Sequence, residues 1–190
     1  MSRSLLIACL SVAFLAGCDR AADEGAQPAD AGEAEAAGAL TGTIDASFAG
    51  TALPDLVLED GDGRTLDLGA MEGPVLLNLW ATWCAPCVVE MPQLDELAGT
   101  LEGEVRVITV SQDLRGAQAV APFFAAKRFT RLEPWLDPET QLSAQFSEAG
   151  QLPLTILFDA SGKEIWRVAG GYEWAGEAAI AKVRKGLAPN

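Results

Sequence analysis

Histidine is absent from this chain of 190 residues, tyrosine occurs once, and cysteine only four times. Without histidine the commonest ligand for zinc or copper is missing. The cysteines are too few to replace it, so neither a four-ligand zinc site nor a histidine-ligated copper carrier can be built from this chain alone. Positive charge is scarce as well: 13 Lys and Arg stand against 27 Asp and Glu, a formal net charge of −14. There is no basic cluster and no base-reading motif, which excludes nucleic acid as a partner. A surface of this sign is repelled by anionic lipid; it either steers partners with positive docking sites or serves only solubility. No motif calls for a bound cofactor. Long apolar runs are missing too. The stretch from Leu5 to Ala16 is about 12 residues, short of the roughly 20 a membrane-spanning helix needs.

That stretch, preceded by Arg3, reads as a targeting signal over residues 1–18. It ends in Leu15-Ala16-Gly17-Cys18, small residues leading to a cysteine, as in a bacterial lipoprotein signal. Cleavage there removes Cys9 and leaves Cys18 lipidated at the mature N-terminus. An uncleaved anchor and an ordinary cleaved peptide are the alternatives. Residues 19–39 are rich in Ala, Glu, Asp and Gly, with no aromatic or β-branched residue. Such a composition cannot offset the entropy of ordering, so it predicts a disordered linker. Residues 40–190 are the length of one domain with a full core. The expected address is the bacterial periplasm, tethered to the inner membrane. Asp19 after the lipidated cysteine resembles an inner-membrane retention signal.

On this reading Cys84 and Cys87 are the remaining thiols, in the run Trp83-Cys84-Ala85-Pro86-Cys87. An apolar strand pattern, Val75 to Trp80, precedes them, and an amphipathic helix pattern follows. The cysteines therefore fall in the first helical turn, where backbone N–H groups favour negative charge and lower a thiol pKa. The chemistry implied is reversible dithiol–disulfide exchange. A static disulfide staple or half of a metal site are the competing readings of the pair.

Hydrophobic periodicity predicts the remaining elements. Leu56–Glu59 and Thr65–Leu68 form a hairpin around Asp60–Gly63. Pro74–Trp80 is a buried strand, and Ala85–Leu101 a helix burying Val88, Met91, Leu94, Leu97 and Leu101. Val105–Val110 is the next strand. Helices follow over about 117–128 and 139–146. Thr155–Phe158 and Glu164–Val168 form an antiparallel pair, and a last helix covers about 175–187. A βαβ half followed by a ββα half predicts an α/β domain, a mixed central sheet with helices on both faces.

From Leu76 to Pro92, and again at Leu152-Pro153-Leu154-Thr155 and Gly170-Gly171-Tyr172-Glu173-Trp174, the chain resembles the thioredoxin superfamily. Within it, the pattern is most similar to the membrane-tethered TlpA/ResA-like thiol–disulfide oxidoreductases, nearest to TlpA. The resemblance spans roughly residues 53–187. It implies a thioredoxin fold with an N-terminal β-hairpin extension. It implies Cys84 as nucleophile and Cys87 as resolving thiol, a redox-active disulfide between them, and a cis peptide bond before Pro153. Ala85 and Pro86 give the thiolate no histidine to lean on, so a low reduction potential is expected. Asn78 stands six positions before Cys84, where thioredoxins carry an aspartate, and Glu90 is the candidate to handle the Cys87 proton instead. Pro92 should kink the helix, and Trp83 is a candidate client contact.

The function implied is extracytoplasmic disulfide reduction in cytochrome oxidase copper-site or cytochrome c maturation. Clients would be a copper-site metallochaperone or oxidase subunit, or apocytochrome c. Electrons would come from a CcdA/DsbD-type membrane thiol transporter. A disulfide-forming oxidase and a non-enzymatic assembly or docking protein are the alternatives. A peroxidase would need threonine three positions before the cysteine, whereas Thr82 is two before Cys84.

Overall fold

The structure, a computed structural model, describes residues 40–147 and 149–188. The signal and linker, with Cys9 and Cys18, lie outside them. The strands are β1 (Thr43–Asp45), β2 (Val57–Glu59), β3 (Thr65–Asp67), β4 (Val75–Trp80), β5 (Arg106–Ser111), β6 (Trp135–Leu136), β7 (Leu154–Phe158) and β8 (Glu164–Ala169). The helices are α1 (Ala85–Thr100), α2 (Ala117–Lys127), α3 (Gln141–Phe146) and α4 (Gly176–Leu187). Among the described residues no helix is long and apolar enough to cross a membrane.

All eight strands join one mixed sheet in the order β1-β8-β7-β4-β5-β6-β2-β3. β4 lies at its centre, parallel to β5 and antiparallel to β7. Every residue of β4 is buried, as its unbroken run Val-Leu-Leu-Asn-Leu-Trp requires of a strand covered on both faces. Alternation then splits its side chains. Leu76 and Trp80 join a core with Met91 and Leu94 of α1, Val120 of α2 and Val183 of α4. Leu77 and Leu79 join the opposite core with Leu142 and Phe146 of α3 and Leu58 and Leu66 of the hairpin. Helices thus cover both faces, as the pattern predicted.

The hairpin β2–β3 forms with the expected turn and attaches to the sheet through β6. Two strands were not predicted. β1 and β6 span three and two residues, too short to show a period, and their pairing with β8 and β5 depends on the tertiary fold. In α1 the expected inner face holds at Met91, Leu94, Leu97 and Leu101. Cys87, Glu90, Met91, Leu94 and Leu97 are buried, while Val88 is only half-buried. A charged residue therefore occupies a position that apolar periodicity assigns to the core. Pro92 sits inside α1, which continues past it to Thr100.

Candidate active site

Cys84 and Cys87 are joined by a disulfide, with Cα atoms 5.3 Å apart. Cys84 is the N-cap of α1 in extended conformation, and Pro86 follows in the first turn, where its missing N–H costs no helical bond. The Cys87 N–H points at Cys84 Sγ, 3.4 Å away. This is the orientation in which a helix N-terminus stabilises a thiolate at Cys84. Cys84 is 6 % exposed and Cys87 fully buried, so the first sulfur is the accessible one. Trp83, beside it, is 68 % exposed, whereas Trp80 is buried against Phe123.

The turn between β4 and Cys84 is held from β5. Asp113, itself buried, accepts hydrogen bonds from the Thr82 backbone N–H at 2.9 Å and the Thr82 hydroxyl at 2.8 Å. The Ser111 hydroxyl donates to the same carboxylate. The Gln112 N–H donates to the Trp80 carbonyl, extending the ladder up to the turn. Thr82 is thereby committed to a structural bond. Sequence reasoning missed Asp113, which lies 31 residues from its partner.

The Leu152–Pro153 peptide bond is cis. Register pairs Leu79 with Leu154, so Pro153 lies at the end of β7 beside the end of β4 from which the cysteine turn departs. Pro153, Cys84 and Cys87 therefore share one end of the sheet. A cleft of about 410 Å³ bordered by Pro74, Arg106 and Glu133 lies toward the other end.

Glu90 is one helical turn beyond Cys87 and fully buried. Its Oε1 accepts from Asn78 Nδ2 at 2.8 Å. Its Oε2 accepts from the Tyr172 backbone N–H at 3.0 Å and the Trp174 indole at 3.3 Å. Burial drives the carboxyl up to about 7, and these three donors only partly offset it. A group that exchanges its proton near neutrality thus stands beside a buried cysteine. Spacing along α1 had singled Glu90 out. Tyr172 and Trp174, which belong to a segment matching the family pattern, had carried no such role. Among the described residues there is no cluster of three or more metal-ligating side chains.

Residues 49–170 match the AhpC/TSA family. Thiol-disulfide oxidoreductase ResA of Bacillus cereus is 30 % identical over 122 residues, covering 64 % of this chain and 69 % of that protein. ResA of Geobacillus thermodenitrificans is 34 % identical over 119 residues, covering 60 % of this chain and 65 % of that one. Among solved structures, a thiol:disulfide interchange protein DsbE from Chlorobium tepidum superposes with a TM-score of 0.62 at 23 % identity. The match covers 74 % of this chain and 98 % of that one, a likeness of fold.

Proposed function

The chain belongs to the AhpC/TSA family, and on that premise we propose that it is an extracytoplasmic thiol–disulfide oxidoreductase working in the reducing direction. The observation that carries this reading is the Cys84–Cys87 pair capping α1, with Glu90 buried one turn behind it. Relatives named thiol-disulfide oxidoreductase support the same chemistry.

In the reduced protein Cys84, nearer the surface and at the helix N-terminus, is the thiolate. It attacks one sulfur of a client disulfide, and the other client sulfur leaves as a thiolate. Cys87 then gives its proton to the Glu90 carboxylate and attacks Cys84 Sγ. The mixed disulfide breaks, and the second client sulfur departs. Two electrons pass to the client, and the protein is left with the Cys84–Cys87 disulfide seen here. A partner that returns two electrons must reopen it, and a membrane thiol transporter of the CcdA/DsbD type fits that need. Clients in copper-site or cytochrome c maturation follow from the TlpA/ResA resemblance. The Leu15–Cys18 pattern supports lipid attachment at Cys18 and a place on the periplasmic side of the inner membrane.

The roles of the two cysteines are tested by mixing reduced variants with a disulfide-bonded peptide. Cys87→Ser should accumulate a stable mixed disulfide at Cys84, because nothing resolves it. Cys84→Ser should accumulate none. Equal trapping by both variants would refute the assignment.

A further inference from the structure

Asn78 lies at the middle of the central strand, fully buried. Register sets Thr155 of β7 on one side of it and Thr109 of β5 on the other, both buried. Its amide nitrogen donates twice, to Glu90 Oε1 at 2.8 Å and to Thr155 Oγ1 at 2.9 Å. Its Oδ1 has no hydrogen-bond partner among the described residues. A buried amide oxygen without a partner is costly, so the one-sided bonding of Asn78 needs a reason.

The reason lies in what Glu90 offers. As a carboxylate it only accepts, and Nδ2 must face it. As a carboxylic acid it also donates, and its O–H needs an acceptor. Rotating the Asn78 amide by half a turn brings Oδ1 to that position. The Thr155 hydroxyl follows, because it accepts from nitrogen in one orientation and donates to oxygen in the other. Leucine or lysine at this position could not serve both forms, and aspartate could do so only by titrating itself.

We propose that Asn78 is the positioning residue of Glu90, and that its amide reverses, pivoting on Thr155, whenever Glu90 gains or loses its proton. The proposal rests on the reading of Glu90 as the proton acceptor for Cys87. The groups facing Glu90 are Asn78 from β4, the Tyr172 N–H and the Trp174 indole from the segment after β8, and Cys87 on its own helix. Among the described residues the hydrogen-bond donors to Glu90 are all uncharged. The carboxylate-facing bond is charge-assisted and the stronger of the two. Loss of Asn78 therefore favours the protonated acid.

The test is made on the oxidised protein, in which neither active-site cysteine titrates. The Glu90 carboxyl carbon and the Asn78 side-chain amide are followed by NMR as pH is raised. The two should change with one midpoint, and magnetisation transfer from the amide protons to Thr155 should appear only above it. An amide that keeps its orientation across the Glu90 titration would overturn the proposal. Asn78→Leu should raise the Glu90 midpoint by about one pH unit, and an unmoved midpoint would overturn it as well. Thr155→Val, a milder change, should raise it in the same direction by less. Failure of the Glu90 reading itself is seen separately, as a Glu90→Gln variant whose thiol exchange keeps the pH profile of the unmutated protein.

Discussion

Asn78 Nδ2 lies 2.8 Å from Glu90 Oε1, joining the central strand to the helix that carries both cysteines. The contact places an uncharged donor against a buried acid, where a second acid would have split the pair's titration.

Glu90 should govern how exchange depends on pH. Its carboxyl titrates near 7 because of burial. In the reduced protein, the rate at which Cys87 resolves a mixed disulfide should rise through that region. Glu90→Gln should remove the rise and slow resolution about a hundredfold or more, within the range usual for a general base. Stopped-flow measurement between pH 5 and 9 checks this.

The same residue should weaken the fold at high pH. Its pKa is raised above the value of 4.5 expected in the unfolded chain. The folded state therefore holds the proton more tightly, and Glu90's contribution is complete below about 4.5 and lost as pH climbs through about 7. Glu90→Gln should melt higher than the unmutated protein at pH 8 and lose that advantage at pH 4.

Asp113 should be needed for the cysteine turn. Asp113→Ala leaves the Thr82 N–H and hydroxyl and the Ser111 hydroxyl without their acceptor. The expected cost is about 1–3 kcal/mol, read by urea unfolding. Slower attack by Cys84 should accompany it, with Asp113→Asn restoring part of both.

Asp95 should make the fold acid-sensitive. It accepts backbone N–H bonds from Thr130, Arg131 and Leu132. Burial works against its ionised form, but those donors outweigh it, and its pKa is lowered. Its contribution is present above about pH 4 and should be lost as pH falls through the lowered value. Asp95→Ala should destabilise by about 1–3 kcal/mol at pH 7 and by less at pH 2.

Much of the fold was legible because β4, β5, β7 and β8 are buried strands of five or six residues whose apolar runs show plainly. β1 and β6 were not, since two or three residues carry no period and their pairing is supplied by the sheet. The cysteines and Pro153 were visible as a motif. Glu90 was visible through its spacing from Cys87, but its burial was not: a glutamate on a helix reads as solvated until the fold brings Asn78, Tyr172 and Trp174 to it. Those partners lie 12 to 84 residues away. Asp113 was hidden for the same reason.

The reducing direction is tested most directly by the Cys84–Cys87 equilibrium in defined dithiothreitol or glutathione buffers, read by tryptophan fluorescence. A potential at the reducing end, near the about −270 mV of thioredoxin, is the expected result. A value near the about −120 mV of a disulfide-forming oxidase would contradict it, and with it the need for a membrane source of electrons.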